Sequence, residues 1–363
     1  MADFAMDDIR AGVAAGVINE AQAARLIAIA NDRLGYRQNM GAEDEPFELF
    51  KGFSEIFVTV GLAILYGGFM SVALLVGIPE IVLVISALLT VAFAMYFTLK
   101  RRMTLPSIGL AIVFAGSIAG LVALLVFDFE AEKPNGYHFL ITAVVGAIGM
   151  LGYFWRFHVP FAMFLFGLFG AGIAFSIAAI VAPESIFASI FIGNADGVFD
   201  ISRNPVMAQT MLIFGFIAFL GGMYFDLKDP YRVSRLSACG FWLHILAAPA
   251  IVNVVALSLL NLEGSMGYVL ASIALTLIAV VALVIDRRSF LTAGIIYIGI
   301  ILAWALDSDL GTGDGWPIAL TLLVMGAFVT ALGTWWVQLR AALMRALPNF
   351  PIKSKLPPYQ ETS

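Results

Sequence analysis

The stretch IALTLIAVVALVI, Ile273 to Ile285, followed at once by Asp286-Arg287-Arg288, decides the fold. It is apolar on every face of a helix and lacks the apolar/polar alternation of a membrane β-strand. A helix rises about 1.5 Å per residue, so roughly 20 such residues cross a bilayer. Nine other stretches read the same way. The ten lie near residues 56–76, 79–99, 105–127, 137–155, 159–182, 206–225, 237–260, 266–285, 289–306 and 317–338, the fourth and ninth being the shortest.

Composition agrees. Of 363 residues, 61% are hydrophobic and 12% charged, whereas a soluble domain carries roughly a quarter charged residues. The solvent for most of this chain is therefore lipid. The 34 glycines suit helices that approach one another closely in lipid. The sequence predicts an all-α, polytopic transmembrane helix bundle of about ten spans with a small N-terminal cytoplasmic helical hairpin. Residues 1–50 are expected to form a helical head with an acidic linker, 51–340 the transmembrane domain, and 341–363 a Pro-rich tail. A single cysteine, Cys239, excludes an internal disulfide and a cysteine metal cluster. Residues 1–50 are polar and acidic and lack the apolar core of a secretory signal peptide.

The basic residues give the orientation. Of 20 Lys and Arg, all but Lys133 and Arg203 fall in the head, the tail and alternate connectors: Lys100 to Arg102, Arg156, Lys228 to Arg235, and Arg287-Arg288. Positive residues resist translocation, so that side is expected to be cytoplasmic and to hold both termini. The opposite loops are acidic, with Glu80, Asp128, Asp200, Glu263 and Asp307 among their residues.

In the head, a short helix is expected from Ala5 to Ala15 with Gly16 in the turn. A second runs from Glu20 to Leu34, with Asn19 as N-cap and Gln22 reaching back. This hairpin is too small for a core of its own. A cytoplasmic protein partner of residues 1–50 is one reading; a solvated cap on the membrane domain is the preferred one. In the tail, Pro348, Pro351, Pro357 and Pro358 oppose helix and favour a disordered end. Trp335 and Trp336 are read as an interfacial aromatic belt.

Three segments carry a resemblance. They are AGVAAGVINEAQA from Ala11 to Ala23, FELFKGFSEIFVTVGLAIL from Phe47 to Leu65, and FWLHILAAPAIVN from Phe241 to Asn253 with Asp286-Arg287-Arg288 beyond it. Together they resemble a group of bacterial multi-pass membrane proteins catalogued as domain of unknown function 2157. The likeness runs across most of the chain. It implies a bacterial inner-membrane protein and supplies no substrate, cofactor or catalytic residue.

Ionisable groups inside lipid are costly and mark function by default. His244 and Asn253 on the seventh span, with Pro249 between them, are the candidates for a solute or proton path. Nine residues turn about 180° around a straight helix, so the pair faces one site only if Pro249 distorts the span. Otherwise each bonds to a neighbouring helix. Glu55, Asp226 and Asp286, near the cytoplasmic boundary, are gate candidates; the plainer reading pairs them with Lys51, Arg232 or Arg287. His138 and His158 lie at span ends. Asp307 to Gly315 fails as a calcium loop, since its glycine and closing glutamate positions hold Thr312 and Ile318, and it reads as an acidic turn. Gly116 with Gly120, and Gly146 with Gly149 and Gly152, are read as close helix crossings. The loop 183–205 is the longest outside the membrane.

No phosphate loop, metal cluster, nucleophile elbow or dinucleotide fingerprint is present in the sequence. The expectation is a non-enzyme with no cofactor, no metal and no nucleic-acid partner, contacting the lipid bilayer. A small-solute transporter or permease is the first functional reading; ten spans can divide into five plus five in inverted orientation, but an odd-span half forces that inversion and the halves share no sequence similarity, so the division is no evidence for it. A non-transporting scaffold, assembly or regulatory factor acting through its head is the alternative.

Overall fold

The computed structural model describes residues 6–18, 22, 23, 26, 52–127, 135–182, 199–230, 232, 235–262, 264–310, 316–357 and 359. Helix α1, Met6–Ala14, is followed by Gly16 in the left-handed turn expected of it (φ 70°). The expected second head helix lies almost wholly outside the described residues, as do the acidic linker, Lys51 and residues 183–198 of the longest loop.

Ten long helices follow: α2 Phe53–Val76, α3 Pro79–Ala94, α4 Thr104–Val126, α5 Gly136–Phe157, α6 Phe161–Val181, α7 Pro205–Lys228, α8 Arg235–Leu260, α9 Ser265–Ile285, α10 Ser289–Leu310 and α11 Trp316–Ala346. Local chemistry sets several boundaries. Pro79 and Pro205 open their helices, where a missing N–H costs nothing. Asn135 caps α5 in a reciprocal box with His138, and α5 ends at His158 in the left-handed region.

Among the described residues, nine helices are long and apolar enough to cross a membrane, and the apolar part of α10, Ser289–Ala305, is shorter. Packing shows how far α10 reaches. Leu275 on α9 faces Gly294 on α10, and Tyr268 near the start of α9 stacks on Trp304 at 4.3 Å. Helix α10 therefore returns along the whole height of α9. It continues to Leu310, so Asp307 to Leu310 are helical rather than the acidic turn expected there; residues 311–315 lie outside the described set.

The interior divides into two cores. Tyr66, Leu110, Met150, Tyr153 and Phe157 anchor one within α2–α6. Ala247, Ala248, Val252, Phe290 and Trp336 anchor the other within α7–α11. Ala174 and Ala178 of α6 join the two halves by packing on Met207, Ala208 and Val254. Helix α8 is central, packed on α6, α7, α9 and α10. Its wholly buried Ala247 and Ala248 let those neighbours approach.

Outer faces are apolar instead of polar: Phe57, Ile64 and Leu75 on α2, and Leu322 and Leu323 on α11, are exposed. Only lipid suits such a surface on so many spanning-length helices. The protein is an integral, multi-pass membrane protein. Of the expected glycine crossings, Gly116 and Gly152 face open space, while Gly146 and Gly149 make room for the side chains of Phe169 and Ile118. A small residue marks a crossing only where a neighbour arrives, which spacing alone cannot supply.

Candidate functional site

Five charged residues of the second half, Asp226, Arg232, Asp286, Arg287 and Arg340, converge at one end of the bundle. Helix α7 reaches that end at Asp226, α8 starts there, and α9 finishes there at Ile285. Asp226 is buried, and two wholly buried side chains bind it. Arg287 donates from Nε to Oδ2 at 2.9 Å and from Nη2 to Oδ1, the bidentate fork that a planar guanidinium allows. Arg287 Nη2 also donates to the Ser237 carbonyl at 3.0 Å. His244 Nε2, from α8, lies 3.0 Å from Asp226 Oδ2. The imidazole is flanked edge-on by Phe219 and Phe290 at 5.5 and 5.9 Å. Glycines make the space: a Cβ at Gly222 would lie 2.7 Å from His244 Nε2, and one at Gly240 would strike Asp226.

One residue earlier, Asp286 gathers a second cluster. Arg232 Nη1 lies 3.0 Å from its Oδ2, and Arg232 Nη2 donates to its main-chain carbonyl at 2.5 Å. Trp336 Nε1 donates to Oδ1 at 2.6 Å. Arg340 Nε lies 3.7 Å from Oδ1, donates to the Leu283 carbonyl at 3.1 Å, and uses Nη2 to hold the Pro357 carbonyl at 2.6 Å. Two carboxylates thus face three guanidiniums and an imidazole. The additional positive charge rests on the last-turn carbonyls of α9, the negative end of that helix.

The two clusters are joined by the Asp286–Arg287 peptide. Together they tie the ends of α7, α8, α9 and α11 to the C-terminal tail. Among the described residues no group of three His, Cys, Asp or Glu is placed to hold a metal.

No protein family, curated protein or solved structure matches the chain. The site therefore stands on its geometry alone.

That geometry separates the sequence candidates. Helix α8 runs unbroken through Pro249, so His244 and Asn253 keep to different neighbours. His244 meets Asp226 of α7, and Asn253 Oδ1 accepts from Tyr297 of α10 at 2.9 Å. They do not form one site. Glu55 is no part of the cluster. It is buried and accepts from the Thr104 and Leu105 N–H groups at 3.1 and 3.0 Å, capping α4 from α2. Asp226 and Asp286 are the two gate candidates that the structure brings together.

Two expectations fail at α11. Trp335 is exposed, but Trp336 is buried on Asp286 and takes no place in an interfacial belt. Non-helical backbone at Trp335 turns the last part of α11 inward. The tail through Pro357 is ordered: Lys353–Lys355 form a 3-10 turn, Leu356 is buried, and Pro357 meets Arg340. Sequence reading gave Arg340 no role. Its signal was the spacing Trp336, Arg340, which puts both on one helix face.

Proposed function

We propose that this is a transporter-like or permease-like protein for a small solute, and that the linked Asp226 and Asp286 clusters are its gate, closed in this conformation. We place it in the bacterial inner membrane with both termini cytoplasmic. The placement rests on the resemblance of the head and the seventh span, and on the confinement of all but two basic residues to the head, the tail and alternate connectors. The gate would then face the cytoplasm. The reading is of a non-enzyme.

One observation carries the proposal: a buried charge network fastens the ends of four spanning helices at a single boundary. Buried ion pairs are a poor route to stability compared with apolar packing, while ionisable groups in membrane helices mark paths and switches.

A second reading, a scaffold or regulatory protein, is favoured by the separate bonding of His244 and Asn253 to neighbouring helices. Cys239, the sole cysteine, is buried two residues beyond Ser237 and tests the two. Protein reconstituted in liposomes is treated with a membrane-impermeant maleimide below its melting temperature. A gate opens transiently, so Cys239 is labelled slowly in the wild type and about tenfold faster or more in Arg287→Met. Leu110→Ala, a destabilising change in the other core, leaves the slow rate in place. Equal labelling in the two variants, or none in either, supports the scaffold and removes the gate.

A further inference from the structure

The first half of the bundle carries its own unassigned charged feature. Helix α3 ends in a π-helical turn, Met95–Lys100, in which the Arg101 N–H donates to the Tyr96 carbonyl at 2.9 Å. The wide turn brings two cations onto one ring. Lys100 Nζ and the Arg101 guanidinium lie 5.8 and 5.6 Å from the Tyr96 centroid, and Arg101 Nε donates to the Tyr96 hydroxyl at 3.1 Å. Phe97 packs against the cluster containing Tyr153 and Phe157, so this turn sits beside the last turn of α5. There Arg156 lies 5.4 Å over the Phe157 ring.

Lys100, Arg101, Arg102 and Arg156 are all exposed. Among the described residues none of them has a carboxylate partner. The carboxylate of Glu55, at this end of the bundle, is buried and committed to the N–H groups of α4. Two large rings stand exposed with the cations, Tyr96 at 41% and Trp155 at 80%. Exposed aromatic rings at helix ends sit at headgroup depth. A group of cations at that depth is drawn to anionic lipid.

The geometry points to a binding site for the headgroup of an anionic phospholipid at this corner. The phosphate meets Lys100, Arg101, Arg102 and Arg156, and the Tyr96 and Trp155 rings flank the glycerol and upper acyl region. Charge complementarity favours an anionic partner, and the lipid-facing rings favour a lipid over a dissolved anion. Neither the orientation of the protein nor the gate enters the argument, so the site stands if the transport reading falls.

The test is native mass spectrometry of the full chain, extracted from vesicles of mixed phosphatidylglycerol and phosphatidylcholine, counting retained lipid. The wild type is expected to retain phosphatidylglycerol preferentially. Lys100→Gln with Arg101→Gln, Arg102→Gln and Arg156→Gln is expected to lower that preference about fivefold or more. The charge-preserving set Arg101→Lys, Arg102→Lys and Arg156→Lys keeps most of it. Should the four-fold variant fail to insert, Tyr96→Ala with Trp155→Ala leaves every charge in place and is expected to lose part of the preference. No preference in the wild type, or a preference untouched by these changes, overturns the site. Displacement of the retained lipid by soluble glycerol phosphate overturns the lipid assignment and leaves a site for a free anion.

Discussion

Arg232 and Asp286 both hold left-handed backbone, with φ of 56° and 59°, and they meet across 54 residues through a 3.0 Å ion pair and a bond to the Asp286 carbonyl. Left-handed backbone costs of order 1–3 kcal/mol outside glycine and persists where the surroundings over-determine it. Each residue ends a segment: Asp286 terminates α9, and Arg232 turns the chain between α7 and α8. Their pairing fixes both turns and orients Arg287, the next residue, toward Asp226.

Asp286→Ala is accordingly expected to cost about 3–5 kcal/mol, since it strands Arg232 and Arg340 in a buried setting. Asp286→Asn keeps a residue at ease in the left-handed region and loses less. Denaturant unfolding in detergent, followed by far-UV circular dichroism, gives both values. Equal losses would show that charge, not the side chain's ease in the left-handed region, holds the turn.

Arg287→Lys should behave as a severe change. Lysine keeps the charge and loses the fork that spans both oxygens of Asp226. Removing Asp226 alone is expected to cost about 3–5 kcal/mol, and replacing both partners, as in Asp226→Leu with Arg287→Met, less than either single change. A double-mutant cycle on melting temperature measures the coupling, and additive losses would contradict it.

Gly222→Ala and Gly116→Ala differ by one methyl in each case, in opposite surroundings. At Gly222 the new Cβ meets His244 at 2.7 Å, whereas at Gly116 nothing lies within 4 Å. The first is expected to cost about 1–3 kcal/mol through overpacking. The second is expected to be neutral or to stabilise by up to about 1 kcal/mol through helix propensity. Melting temperatures of the pair decide.

Truncation after Phe350 removes Leu356 and the Pro357 carbonyl, and so takes one partner from Arg340. Faster amide exchange is expected at the end of α9, around Leu283 to Arg287, with the first half of the bundle unaffected. Unchanged exchange there would mean that the tail rests on the cluster without holding it.

Several parts of this structure were legible in the sequence. Helix type, the spans and the turn at Gly16 follow from apolar runs of bilayer length and from one glycine, because both are local. The clustering of Asp226, Asp286, Arg232 and Arg287 at one boundary was legible as a set, since the basic connectors alternate. Their pairing was not. Arg287 is adjacent to Asp286 in sequence yet binds Asp226, because the left-handed turn at Asp286 sends the two side chains to different helices.

Sequence by itself determined that lipid must solvate this chain and where its apolar helices fall, because burial of backbone polar groups and helix rise act residue by residue. Only the tertiary structure decided that His244 and Asn253 serve different neighbours, that Trp336 turns inward, and that the tail reaches Arg340. Each of those depends on which helix arrives opposite a given face, and that is a property of the whole bundle.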